Sequence, residues 1–285
     1  LKLELTPIGF IDSVYKEKFG TPRQSGLIAE GYAKLTLLPQ WQPEQAFDGI
    51  QGYSHLWLIW WFHKNSNKRY HAKVHPPRLG GQTQGVFSTR SPHRPNPLGL
   101  SLVELVKVEG ATLWLKGVDL VDGTPIFDIK PYLVQFEALS QAKSGWSNQL
   151  ERESAQMVQV IWDNKALNQL KNLTSQSNPV FQIEDLKNLI DKMISQDPRP
   201  LAYKAEQKLV GNAEDFYDDS GDHSRDDSRD DRHDDRHDWH HDHRHDDTQK
   251  VHVFRVDNFD VFFKFTSPRA AEITSIVSVN SRAIL

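Results

Sequence analysis

The 285-residue sequence contains no cysteine. That excludes a disulfide framework, a cysteine nucleophile and any zinc site built on thiolates. It also has no run of 18 apolar residues, so no segment reads as a spanning helix. Residues 1–20 lack an apolar block of the signal-peptide kind and are interrupted by charge, so a cytoplasmic location and no membrane partner are expected. The first residue is Leu rather than Met, which implies processing or missing residues before it. A further absence is local. Residues 51–100 hold no Asp or Glu, only Lys64, Lys68, Arg69, Lys73, Arg78, Arg90 and Arg94 with five histidines. A block of one sign is a footprint for an anionic partner such as phosphate, nucleic acid or carboxylate.

The formal net charge of −4 hides this. Residues 214–247 carry 15 Asp/Glu against 5 Arg, a net −10. The rest of the chain has 29 basic and 23 acidic residues, a net +6. The acidic stretch is low-complexity: SRDD, SRDD, RHDD, RHDW, HHDH and RHDD run in series from Ser224. With Trp239 as the only large apolar residue of these repeats, the stretch cannot offset ordering entropy by burial, and disorder is expected. His233, His237, His241 and His245 have metal-ligand spacing, but any period-four repeat produces it, so no metal site is assigned.

The first 140 residues predict a β domain. Short runs bounded by Gly and Pro lie at 7–14 and 31–38. HLWLIWWFH at 55–63 reads as a strand buried on both faces or the wall of a small barrel. Residues 85–88, 100–108 and 113–120 are further strands, with a turn at Asp122-Gly123 and a possible helix at 43–50. Many short strands with turn punctuation indicate a sandwich or barrel. A polar linker follows at 138–149. Residues 150–285 then predict a small α/β domain, interrupted by the insert at 214–247. It comprises a strand at 157–162, helices at 163–173 and 180–194 with apolar positions at helical spacing, and strands at 251–256, 259–265 and 273–279. The fold class is therefore mainly β: an N-terminal β-barrel followed by a small α/β unit.

The stretch GVFSTRSPHRPNPLGLS at 85–101 concentrates the chemistry. Three prolines in six residues forbid helix and fix an extended path, so Arg90, His93, Arg94 and Asn96 are presented at low ordering cost. Arginine offers a planar fork to carboxylate or phosphate, and Asn both a donor and an acceptor. By the residues alone, Phe62 and His63 fit core packing as well as a site, and Asp119 with Asp122 fits turn chemistry.

This stretch resembles the signature of the TsaA/TrmO-like family, and other stretches agree in order: Ile8-Gly9 with 13–19 and Pro22-Arg23-Gln24, Ser54-His55-Leu56-Trp57 with Phe62-His63, PPRLGG at 76–81, DLVDGTP at 119–125 with DIKPY at 128–132, and DPRP at 197–200. The resemblance implies a β-barrel methyltransferase rather than a doubly wound one, working as a homodimer with S-adenosylmethionine near the subunit interface. It implies a tRNA partner whose adenosine next to the anticodon already carries threonylcarbamoyl on N6, and transfer of a methyl group to that nitrogen. Cofactor contacts would be Arg23, Gln24, Ser25, Phe62, His63, Arg90, Leu100, Asp119, Leu120, Val121 and Asp122. Ser25 stands where relatives often have Pro, and Leu100 where Met is frequent. Methyl transfer is an in-line displacement driven largely by alignment. A base is optional, with His63, His93 and Asp128 as candidates. Arg94, Asn96, Lys130 and Tyr132 are candidates for tRNA contacts. Other readings of the residues are a non-catalytic nucleotide- or RNA-binding barrel and metal buffering by the His/Asp stretch.

Overall fold

The computed structural model describes residues 3–65, 69–76, 79, 82–147, 157–174, 183–199 and 250–279. The acidic stretch, its histidines and part of the PPRLGG segment lie outside the described residues. Six antiparallel strands close into a barrel. In chain order they are β1 (Gly9–Ser13), β2 (Tyr32–Leu37), β3 (His55–Trp61), β6 (Leu98–Glu109), β7 (Thr112–Lys116) and β8 (Pro125–Pro131). Around the barrel they run β1-β2-β7-β6-β3-β8, and β8 pairs back to β1. Between β3 and β6 a two-stranded ribbon forms from β4 (Lys73–Val74) and β5 (Gln84–Gly85).

Closure follows from period-two burial. Along β3, Leu56, Leu58 and Trp60 point inward and are buried, while Trp57 and Trp61 face out. The tryptophan-rich run is thus a barrel wall. Leu35, Leu113, Leu115, Val103 and Ile126 fill the same interior.

Several boundaries differ from the sequence expectation. Strand β7 stops at Lys116 instead of running to Leu120, because Gly117 adopts φ +68° and turns the chain. Residues 86–88 form a 3-10 turn, not a strand. The helix expected over 43–50 is the single turn α1 (Pro43–Ala46). Three labelled elements were not anticipated: the two-residue β4, β8, whose prolines and charged residues disguise it, and the short α2 (Val134–Glu137).

A second sheet has the order β10-β11-β12-β9, built from β9 (Gln159–Trp162), β10 (Val251–Val256), β11 (Phe259–Ser267) and β12 (Ala270–Ser278). Helices α3 (Asn164–Thr174) and α4 (Ile183–Ser195) accompany it. Asp163 caps α3, accepting from Lys165 N at 3.3 Å. In α4 the buried positions Leu186, Leu189, Ile190 and Met193 follow the expected helical spacing. The DPRP segment ends α4 with Asp197 in a left-handed conformation. Arg199 is only 2% exposed, pairs with Asp197 at 2.8 Å, donates to Pro268 O and lies 3.6 Å over the Phe265 ring. Removing one partner of such a pair strands the other, so Arg199→Ala is expected to cost ~3 kcal/mol, read by chemical denaturation. A loss under about 1 kcal/mol would show the pair to be unimportant.

The two sheets share one apolar core. Tyr15 bridges to Val256, Asp257 N donates to Val14 O, and Lys192 pairs with Glu30. The second sheet therefore braces residues 15–30, the segment that leaves β1.

Candidate active site

A cleft of about 460 Å³ opens at one end of the barrel. That lies within the roughly 300–1,000 Å³ typical of small-molecule and cofactor pockets. Four stretches meet there: the segment braced by the second sheet, the end of β3, the proline loop leading into β6, and the loop after β7. Each comes from a break in regular structure. Strand β3 ends at Trp61 opposite Leu98, where β6 begins. Gly117 diverts the chain after β7, and its carbonyl accepts from Gly26 N at 2.8 Å, tying two of the stretches together.

The floor is built from the β3–β6 register. Trp60 lies opposite Gly99, and a Cβ at Gly99 would sit 2.2 Å from the indole. Only glycine lets the ring lie flat on the strand. The Trp60 and Phe62 rings are 4.3 Å apart and form an aromatic wall. Trp60 Nε1 donates to Ser101 Oγ at 2.9 Å, and Ser101 Oγ donates to Asp119 Oδ1 at 2.6 Å. Burial raises the Asp119 carboxyl above its ordinary value of 3.8, against hydrogen bonds from Ser101 and from the amides of Asp119 and Ser25, and against the field of Arg90. The rim is cationic, with Lys18, Arg23, Lys64, Arg90 and Arg94.

Of the residues picked out by sequence, Arg23, Gln24, Phe62, His63, Arg90, Leu100, Asp119 and Val121 line this cleft. Ser25 lies just behind it, its side chain accepting from Gln24 Nε2 at 3.4 Å. Leu120 is fully buried in the core. The Asp122 carboxylate is held by Ser13 N at 2.9 Å and Lys16 Nζ at 3.1 Å. Both side chains are thus directed to the fold.

The candidate bases separate. His63 lines the cleft, with Nδ1 3.4 Å from Thr124 Oγ1. Burial and then Lys64 push its imidazole below the ordinary value, against hydrogen bonds to the carbonyls of Trp61 and Asp122, so it is neutral at pH 7. His93 is outside the lining and packs edge-on against His71 at 5.1 Å. Asp128 is outside it too, paired with Lys130 at 2.9 Å.

The expected RNA contacts also divide. Arg94 reaches the cleft, but its guanidinium donates to Thr89 O at 2.7 Å and Val86 O at 3.2 Å, stitching the proline loop. Asn96 is exposed on that loop. Lys130 lies on β8 opposite Trp57, three residues along β3 from Trp60, and Tyr132 follows β8, its N donating to His55 O at the far end of β3. Sequence reasoning did not single out Trp60, Gly99, Ser101 or Thr124 as site residues. HLWLIWW is apolar almost throughout, so the sequence does not say which way Trp60 faces, and its pairing with Gly99 is a matter of register.

The cleft suits a ligand with a flat aromatic part, an anionic group and a hydrogen-bonding or cationic polar group. Phe62 and Trp60 offer a face, the rim arginines a fork, and Asp119 an acceptor. Among the described residues no three acidic or histidine side chains cluster as metal ligands, and no helix is long and apolar enough to cross a membrane.

Comparison with known proteins agrees with this chemistry. The tRNA-methyltransferase O N-terminal domain family matches residues 10–138. The tRNA (adenine(37)-N6)-methyltransferase of Escherichia coli is 40% identical over 205 residues, which cover 70% of this chain and 83% of that protein. A putative S-adenosylmethionine-dependent methyltransferase of Pseudomonas aeruginosa, RcsF, is 38% identical over 203 residues, covering 71% and 84%. The mouse tRNA (adenine(37)-N6)-methyltransferase is 48% identical over 134 residues, 46% of this chain. The chain spans only about a third of the length of that mouse relative, since the match covers 31% of it. The crystal structure of TrmO from P. aeruginosa superposes with a TM-score of 0.65 at 26% identity, covering 98% of this chain and 100% of that one.

Proposed function

The chain belongs to the tRNA-methyltransferase O family, and we propose that it methylates N6 of a tRNA adenosine next to the anticodon, one that already carries threonylcarbamoyl. One observation carries this reading: residues from four separated stretches, each matching a family motif, line a single cleft. S-adenosylmethionine supplies the methyl group and the sulfur leaving group. Arg90 and Arg23 hold its carboxylate, Phe62 and Leu100 pack its adenine, and Asp119 takes its amine or ribose hydroxyls. Gln24 and Val121 line the same pocket, while Ser25, Leu120 and Asp122 contribute through the main chain. Neutral His63 is the cleft histidine able to accept the N6 proton.

The cationic rim steers the anionic RNA toward the cleft. Asn96 at the loop surface meets the substrate, with Arg94 holding that loop in shape. Lys130 and Tyr132 serve more distant RNA contacts along the barrel. Exposed Trp61, Phe87, Leu98 and Leu100 gather around the proline loop and the ends of β3 and β6, which supports a homodimer with the cofactor near its interface. Residues 1–140 form the methyltransferase domain, and 150–285 the smaller domain that braces it. A cytoplasmic location fits a tRNA substrate. Calorimetric titration with S-adenosylmethionine tests the cofactor half of this reading. One site per chain is expected, and no heat at any usable concentration would refute it.

A further inference from the structure

Ser101 is fully buried and polar, and it lies behind the cleft surface without lining it. A hydroxyl has one proton and two lone pairs. Trp60 Nε1 is a donor only, so at 2.9 Å it must use a Ser101 lone pair. The Ser101 proton is then directed to Asp119 Oδ1, 2.6 Å away. The neighbours fix this direction. Trp60 cannot swing, because it lies flat against Gly99, and Ser101 sits on β6 directly opposite Leu58. The Asp119 carboxylate, in contrast, is on an irregular loop after β7 and has no strand to orient it.

We propose that Ser101, oriented by the Trp60 indole, is a positioning residue that aims the Asp119 carboxylate into the cleft to receive the polar end of the cofactor. The inference rests on the reading of the cleft as an S-adenosylmethionine site. The relay has two effects. It fixes which carboxylate oxygen faces the ligand, and it favours the ionised form of a group whose burial opposes ionisation. Ser101 is buried and does not line the cleft, so its removal should weaken binding and leave the chemical step in place.

The test is cofactor affinity by calorimetry from pH 5 to 9, in wild type, Ser101→Ala, Asp119→Asn and the double variant. Ser101→Ala is expected to weaken binding about 10- to 150-fold, in the range for a lost hydrogen bond to a charged group. Its KM for cofactor should rise likewise, with kcat at saturation within about threefold. Its affinity should also start to fall at a higher pH than wild type, because Asp119 loses a bond that favours the charged form. In the Asp119→Asn background the same change should add little, since neighbours acting through one group are not additive. Ser101→Cys, a near-isosteric weak donor, should fall between serine and alanine. Thermal unfolding of each variant separates loss of folding from loss of affinity. Unchanged affinity and pH profile in Ser101→Ala, or an equal loss with and without Asp119, would overturn the relay alone. No binding by wild type would overturn the cofactor reading and the relay together.

Discussion

Asp119→Asn is expected to cut S-adenosylmethionine affinity about 10- to 150-fold while leaving the melting temperature at pH 7 unchanged or higher. The two halves of that result have one cause. The Asp119 carboxyl is pushed above its ordinary 3.8, chiefly by burial. A raised acid pKa in the folded state means that folding takes up a proton in the window just above 3.8, so stability falls as pH rises through it. Burial thus opposes the charge of the Asp119 carboxylate in the folded protein. Asparagine keeps an oxygen to accept from Ser101 Oγ and removes that charge, which offsets the weakening of the bonds from the Asp119 and Ser25 amides. The cleft loses its acceptor for a cationic or hydroxyl group, worth ~1.5–3 kcal/mol for a charged hydrogen bond. Calorimetry and a thermal melt on one sample check both. A melt that drops by several degrees with affinity intact would make Asp119 a structural turn residue.

Gly99→Ala should be comparably damaging through a different route. The added methyl carbon would stand 2.2 Å from the Trp60 ring, well inside contact distance. The ring cannot yield cheaply. It is bonded to Ser101, packed 4.3 Å from Phe62 and 8% exposed. Overpacking of this kind costs ~1–3 kcal/mol of stability. The displaced indole also narrows the cleft and releases the Ser101 relay. Activity is expected to fall at least 100-fold, as misplacement of about 1 Å near a reacting centre does. Intrinsic fluorescence of the folded variant should report an altered Trp60 environment. A folded variant with activity within threefold of wild type would remove the Trp60 floor from the account.

Sequence and structure agree most where burial pattern and punctuation coincide. The closing strands and the face of α4 were legible because apolar spacing encodes which side is buried, and HLWLIWW was legible as a strand from its continuous apolar run. The strand β8 was not, because Pro125, Asp128, Lys130 and Pro131 break every propensity rule that would mark it. It is a strand because its neighbours, β3 and β1, close the barrel through it. At the site, motif order brought Arg23, Phe62, Arg90 and Asp119 to attention, and all four line one cleft. His93 and Asp128 looked equally suitable in one dimension. The first packs on His71 and the second is paired with Lys130, and neither lines the cleft. Gly99 and Ser101 were invisible as site residues because their importance arises from strand register. Trp60 meets Gly99 directly across the ladder and Ser101 by its indole, relations that no linear spacing records.

The most direct measurement is the mass of the nucleosides released from tRNA after incubation with this protein and S-adenosylmethionine. Threonylcarbamoyl-adenosine should gain 14 Da, the exchange of one hydrogen for a methyl group, at N6. Unmodified tRNA should gain nothing. Threonylcarbamoylated tRNA left unmethylated under conditions where the protein binds S-adenosylmethionine, or a methyl group found on a different atom, would contradict the account.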